Sequence, residues 1–393
     1  MINSSARSPH ESPKPRDPMI ARVSPASLVE RAPSSIAAAS LDRARPRDHL
    51  VERGLAYLAA AHDGRGIQSD LSTDASFRER FALAGLRAVV RQRTGVDLGF
   101  DPGTETFSSM VAARLLCRRL PDHPLPRALA STFATCHFER RFRFFHGPGL
   151  FAADTDCTGV ALTALAGTGL LTRGALEEGV VQILGAVPSR EILARQPELE
   201  AGVPMVYWDD GREPGVAPRG FKQDPCVAAN ALYALAIAEA KGCRTEGLRR
   251  VIDATTAYLD DLLDSGAWRA RTRYYPTPDA LLCFVGEACA ASPALRLALG
   301  RSLRRAVSER IAEAGDDDDA AIHLGMRLLA AATIGLDDPL SARKLSRGQD
   351  DRGVFAAGPF FSLGRLPGIY FGSEALTTAV VVAALLARGA AVR

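Results

Sequence analysis

The sequence predicts an all-α protein, a single (α/α)6 toroid in which about twelve helices form two concentric rings. Three observations lead there. One block, an acidic or Ser/Thr start followed by small apolar residues and Leu at helical spacing, occurs six times. Amphipathic segments of helical period lie between these blocks. No run of residues alternates apolar and polar as a half-buried strand would.

In chain order the blocks are "GTETFSSMVAARLLCRRL" from 103, "DTDCTGVALTALAGTGL" from 154, "QDPCVAANALYALAIAEAKG" from 223, "TPDALLCFVGEACA" from 277, "DDDDAAIHLGMRLLAAATIG" from 316 and "GSEALTTAVVVAALLARG" from 372. Each opens on residues that favour a helix N-terminus, and several close on the Gly that favours its end. Their side chains are small and apolar on nearly every face, which marks helices buried all round. The intervening "LRRVIDATTAYLDDLL" instead gathers Leu248, Val251, Ile252, Leu259, Leu262 and Leu263 on one stripe, and "SLRRAVSERIAEA" does so with Leu303, Val307 and Ile311. Inner helices wrapped by outer ones follow from that contrast. Block starts fall unevenly, roughly 40 to 70 residues apart, with aromatic insertions between them, unlike the tighter period of a helical solenoid.

Residues 46–393 are assigned to this toroid and 1–45 to a disordered leader, rich in Ser, Pro and Arg and without a continuous apolar core. Among 393 residues, 47% are hydrophobic and the formal net charge is +3, so no long-range field points to nucleic acid. Seven scattered cysteines contain no CxxC pair, which argues against a zinc ribbon and suits a reducing, cytoplasmic setting. The longest apolar run, "AVVVAALLA" at 379–387, is too short to span a bilayer and reads as a buried helix.

If the inner helices run in one sense, their N-termini bring Glu105, Asp154, Asp156, Asp224, Asp279 and Glu374 to a common rim. Capping accounts for Glu105, Asp279 and Glu374. Asp154 and Asp156 need more, because one acid suffices to cap a helix.

The motif "DTDCT" at 154–158 resembles the acid motif of the class II terpene cyclases, D-x-D-D-T, and is similar to oxidosqualene cyclase in following the acid with Cys-Thr. The resemblance covers about residues 140 to 240, and beyond that only the toroid. It implies that Asp156 is the general acid that starts cyclisation of an isoprenoid polyene, polyprenyl chain or epoxide, with Asp154 beside it. It further implies that Cys157 and Cys226, the latter on the next inner helix, hydrogen-bond toward the acid. Cys in place of the second acid leaves protonation of an epoxide as open as that of an alkene. Most relatives add a second helical domain, so the cavity lies either inside this toroid or against a partner subunit.

Physical chemistry points the same way. A helix N-terminus stabilises a carboxylate, whereas a like-charged neighbour and an apolar setting keep it protonated. Carbocation chemistry also calls for aromatic faces. Loops upstream of the inner helices supply them, with candidate substrate-binding residues Phe144, Phe145, Tyr207, Trp208, Tyr274, Tyr275, Tyr370 and Phe371, joined by Asp224. His146 reads as a loop hydrogen-bonder and the "DDDD" run at 316–319 as solvated charge. Arg140, Arg141 and Arg143 of the "ERRFR" run, with Arg212, Arg219, Lys222, Arg269, Arg271 and Arg273, are candidate holders of a diphosphate.

No cofactor is expected, with Mg2+ entering only if the substrate carries a diphosphate. The expected partner is a small hydrophobic isoprenoid and not nucleic acid; peripheral membrane contact and a homodimer are both compatible with this. Two alternatives stand beside the cyclase: a zinc-dependent prenyltransferase-like toroid using Asp224, Cys226 and His323, and a non-catalytic toroid binding a hydrophobic ligand or a protein.

Overall fold

The computed structural model describes residues 46–391 apart from 63, 101, 148–150, 271, 314–319 and 365–367. The expected leader at 1–45, Arg271 and the acidic run at 316–319 lie outside the described residues. In chain order the helices are α1 (Pro46–Ala61), α2 (Leu86–Thr94), α3 (Phe107–Cys117), α4 (Pro124–Phe133), α5 (Thr155–Gly167), α6 (Arg173–Gly185) and α7 (Arg190–Arg195). There follow α8 (Pro225–Ala240), α9 (Leu248–Asp264), α10 (Pro278–Ala291), α11 (Pro293–Glu313), α12 (Ala321–Thr333), α13 (Pro339–Arg347) and α14 (Glu374–Ala391).

The six blocks become α3, α5, α8, α10, α12 and α14. Each packs on the next, and α14 packs back on α3, so the ring closes. Outside it α9, α13 and α1 lean on α8, α12 and α14, while α4, α6 and α11 each bridge two neighbouring inner helices. The division follows from side-chain chemistry. Residues 226–236 of α8 are buried without a break, whereas α9 buries Leu248, Val251, Ile252, Leu259 and Leu263 and turns its Arg and Asp residues outward. Among the described residues no helix is long and apolar enough to cross a membrane, and α14 serves as a buried wall.

Local chemistry fixes where the inner helices begin. Asp154 and Asp224 cap α5 and α8 in extended backbone, and Pro225 and Pro278 occupy first-turn positions where no N–H is needed. Two of the expected capping acids do other work. Thr277 caps α10, while Asp279 joins Arg310 and Arg327 in a buried ion cluster tying α10, α11 and α12 together. Ser373 accepts from the Leu376 N–H at the start of α14, and Glu374 pairs with Arg80.

Short strands are the feature that the sequence pattern did not disclose. β1 (Asp70–Ser72), β2 (Arg80–Phe81), β3 (Thr104–Glu105), β4 (His137–Phe138), β5 (Arg141–Phe142), β6 (Phe145–His146), β7 (Phe361–Ser362) and β8 (Tyr370–Gly372) are two or three residues each, too short to show a period of two. One sheet runs in the order β2-β1-β8-β7, and β3 pairs with β6 and β4 with β5. All of them are antiparallel stitches among the loops at the rim where the inner helices start.

Inner helices α5 and α8 meet backbone to backbone at Gly159, where a Cβ would stand 2.7 Å from the Asn230 carbonyl oxygen. Gly in a helix interior normally costs about 0.5–1 kcal/mol relative to Ala. Here backbone would have to move to admit the methyl group, an overpacking cost of about 1–3 kcal/mol that exceeds the propensity gain. Gly159→Ala is therefore expected to lower the urea midpoint at unchanged m-value; a midpoint at or above the wild type would contradict this packing.

Candidate active site

The acid motif is built from its own backbone outward. Asp154 Oδ1 accepts the Cys157 N–H at 2.7 Å, which caps α5. The Thr158 hydroxyl donates to the Asp154 carbonyl at 2.7 Å and accepts the Phe142 N–H at 2.9 Å, so the final Thr of the motif clamps the incoming loop. Asp156 is thereby aimed inward from the first turn of α5. Its Oδ1 accepts from Asn230 Nδ2 on α8 at 2.6 Å and its Oδ2 from the Tyr275 hydroxyl at 2.5 Å. Behind Asn230, Arg114 of α3 donates from Nη1 to Asn230 Oδ1 at 2.5 Å, with its guanidinium 5.0 Å from the Phe284 ring centre.

Both acids of the motif are buried, and burial is what moves them. Asp154 is pushed up to about 8 by loss of solvation and then by the neighbouring Asp156 charge. Asp156 is pushed up to about 6 by burial, while the hydrogen bonds from Tyr275 and Asn230 pull it back. The two titrate as a pair that keeps at least one proton at neutral pH. Asp156 is the stronger acid of the two, because donors already surround its anion.

In front of the pair lies a hollow of about 20 Å³, lined by Phe144, Phe151, Asp154, Asp156, Cys157, Val206, Tyr207, Val227, Tyr274 and Phe361. Above it a larger vestibule of about 270 Å³ shares Phe151, Tyr207, Tyr274 and Phe361 with the hollow and adds Arg219, Lys222 and Arg273. The shared rings form an aromatic partition. Tyr274 and Phe361 stack with ring planes 3° apart, and Phe361 stands 5.0 Å from Phe144. The rim stitches hold these rings in place, since β7 carries Phe361 opposite Phe371 and the Ser362 N–H donates to the Tyr274 carbonyl.

The candidate residues sort themselves by position. Phe144, Tyr207 and Tyr274 face the acid, and Tyr275 touches it. Phe145 and Phe371 form a second layer behind Phe144, at 4.8 and 5.6 Å. Trp208 lies aside, with its Nε1 donating to the Gln182 carbonyl and its ring under Arg141. Tyr370 is part of the β1–β8 ladder and Asp224 is committed to backbone, accepting from Cys226, Val227 and Arg273 N–H groups. Neither cysteine donates to Asp156. Cys157 lines the hollow beside Asp154, and Cys226 turns to Thr272, so the expected thiol donors are replaced by an amide and a phenol. Asn230 and Arg114 were missed because each sits in an otherwise apolar helical run. A polar residue on a helix buried all round was the available signal.

Of the candidate diphosphate holders, Arg140, Arg141, Arg143, Arg212 and Arg269 are occupied by Glu178, Asp210, Glu213, Glu139 and Glu309 respectively. Arg219, Lys222 and Arg273 line the vestibule. His146 lies exposed on β6. Asp224, Cys226 and His323 do not assemble: among the described residues no group of three or more His, Cys, Asp or Glu is placed to hold a metal ion, and His323 meets the Pro359 carbonyl.

No protein-family model matches the chain. It is similar to drimenol cyclase drtB of Aspergillus calidoustus, 27% identical over 336 residues, which cover 85% of this chain and 51% of that protein. The chain thus spans about half the length of that relative. Among solved structures it superposes on type II terpene cyclase MstE from Scytonema with a TM-score of 0.58, at 14% identity over 88% of this chain and 99% of that one. The chain has the fold of a type II terpene cyclase. A variant of MstE bound to geranylgeranyl dihydroxybenzoate gives a TM-score of 0.59 at 12% identity, over 88% and 98% of the two chains. The ent-copalyl diphosphate synthase of Streptomyces platensis gives 0.50 at 16% identity, over 77% and 54%. Within this fold the start of α5 brings Asp154 and Asp156 to the hollow under the rim loops.

The acid pair makes folding stability depend on pH. In the unfolded chain both carboxyls titrate near 4, whereas the folded pair holds protons up to about 6 and about 8. The folded state binds more protons across that interval, so stability falls as pH rises from about 4 to about 8. Asp154→Asn keeps an N-capping residue and removes one of the titrations. Denaturant unfolding followed against pH is expected to show a shallower decline for this variant, and an identical decline would rule Asp154 out as a source.

Proposed function

We propose that this protein is a terpene cyclase-like enzyme that starts cyclisation of an isoprenoid by protonating an alkene or epoxide from Asp156. The observation that carries the reading is a buried carboxyl with two hydrogen-bond donors in place for its anion, opening on an aromatic hollow. Such donors act without reorganisation as the proton leaves, which strengthens the acid where it is used. The cation formed in the substrate then faces Phe144, Tyr207, Tyr274 and Phe361, each contact with a desolvated ring being worth about 1–2 kcal/mol. The drimenol cyclase relative, an enzyme named for a cyclisation, supports the same class of chemistry.

The two spaces suggest how substrate lies. An isoprenoid tail points down to Asp156, and an anionic head group, a diphosphate, stays in the vestibule against Arg219, Lys222 and Arg273. These three side chains neutralise a diphosphate without a protein-bound metal. The hollow in front of the acid has room for about one water molecule, so the Tyr274 and Phe361 rings swing aside as the tail enters. A toroid that merely stores a ligand has no use for a second buried acid, which favours the enzyme over the non-catalytic alternative.

Incubation with farnesyl diphosphate, geranylgeranyl diphosphate and squalene, followed by product analysis, tests the reading. Cyclised product is expected from wild type, with a rate that falls as pH rises through about 6, where Asp156 loses its proton. Asp156→Asn keeps the shape without the transferable proton and is expected to lower kcat by at least about 100-fold. Undiminished turnover by Asp156→Asn would sink the assignment. Arg273→Ala is expected to raise KM for a diphosphate substrate about 10-fold while leaving KM for a neutral polyene unchanged.

A further inference from the structure

Arg114 is 1% exposed, in the middle of α3 among Ala and Leu, and among the described residues no carboxylate stands within ion-pair distance of it. Its Nε and Nη2 are buried without a hydrogen-bond partner. Other buried cations of the ring are compensated: Arg119 meets Glu287 at 2.5 Å, and Arg327 meets Asp279 at 3.1 Å. A guanidinium left in an apolar interior without a contacting carboxylate is costly, so its retention calls for a role.

We propose that Arg114 is a positioning residue for the acid: acting through Asn230, it dictates which end of the amide meets Asp156 and so strengthens Asp156 as a proton donor. The inference rests on the reading of Asp156 as that donor. A side-chain amide can present either its NH2 or its carbonyl to a neighbour. Arg114 has only donors, so it claims Asn230 Oδ1 and leaves Nδ2 for Asp156. The reversed amide would set donor against donor at Arg114 and oxygen against oxygen at Asp156. Asp156 Oδ1 is consequently an acceptor in both protonation states, and the mobile proton is kept off the Asn230 side.

The charge of Arg114 adds to this. Groups facing Asp156 are Asp154 and Cys157 from α5, Asp224 and Cys226 from α8, and Tyr275 from the loop before α10; the thiols and the phenol are held neutral by burial. Around Arg114 itself stand Cys117, Tyr233 and Cys283, likewise raised by burial, and Glu287, which Arg119 holds ionised. Arg114 brings positive charge to a neighbourhood of acids, where it favours the Asp156 anion.

Infrared titration of the Asp156 carboxyl, isolated as the difference between each protein and its Asp156→Asn counterpart, tests this without any need for turnover. Arg114→Met is expected to raise the titration midpoint by about one pH unit, and Arg114→Lys, which keeps the charge, to recover about half of that. Should Arg114→Met fail to fold, as judged by circular dichroism, Arg114→Gln, which removes the charge and keeps a polar side chain beside Asn230, carries the test, with a midpoint raised by at least about half a unit. Midpoints equal to wild type in the folded variants would overturn the proposal. In parallel, Arg114→Met is expected to lower kcat about 10-fold with KM within about twofold and to move the alkaline limb of activity upward. If Asp156→Asn still cyclises substrate, the functional reading fails, while the infrared midpoint still reports on Arg114.

Discussion

A carboxyl group inside a ring of Ala, Val, Leu and aromatic side chains loses its hydration, and that loss organises the centre of this protein. Asp154 and Asp156 sit where charge is expensive, so each must either keep its proton or find donors for its anion. The ring supplies a partial answer to both demands. The cap bond from Cys157, the Tyr275 hydroxyl and the Asn230 amide receive negative charge, yet among the described residues no cation contacts either acid directly. The proton is therefore retained but held under tension.

Two other buried carboxylates show what the alternative looks like. Asp279 lies against Arg310 and Arg327, and Glu287 against Arg119, and both are held below the ordinary range by these cations in spite of burial. They are permanent anions that tie helices together. Buried acids paired with a guanidinium stay ionised, whereas the unpaired ones, Asp154, Asp156, Asp224 and Glu105, are raised by burial. Distance to the nearest guanidinium, and not depth of burial, makes the difference.

The double ring was legible because each inner helix is apolar all round and each outer helix on one stripe, a contrast that survives in any order of residues along α8 and α9. The acid pair was legible too, since Asp154 and Asp156 exceed what a cap requires. Its partners were not. Asn230 and Arg114 come from α8 and α3, and nothing local to either segment says that they meet across the ring. The rim aromatics were legible as clusters and not one by one: Phe144 faces the hollow and Phe145 turns away because a strand register of two residues decides it. The same applies to the basic residues, where neighbouring acids drawn from distant loops absorb Arg141 and Arg143 and leave Arg219 and Arg273 at the mouth.

The ring is closed by the packing of α14 on α3, and α1 lies against α14 across more than three hundred residues of chain. Until α14 docks, the walls of α3 and α12 that it covers stay unmatched. Slow, late closure of this kind exposes a sticky intermediate to chaperones and proteases. A truncation that removes α14 alone would leave not a weaker ring but an open crescent prone to aggregate.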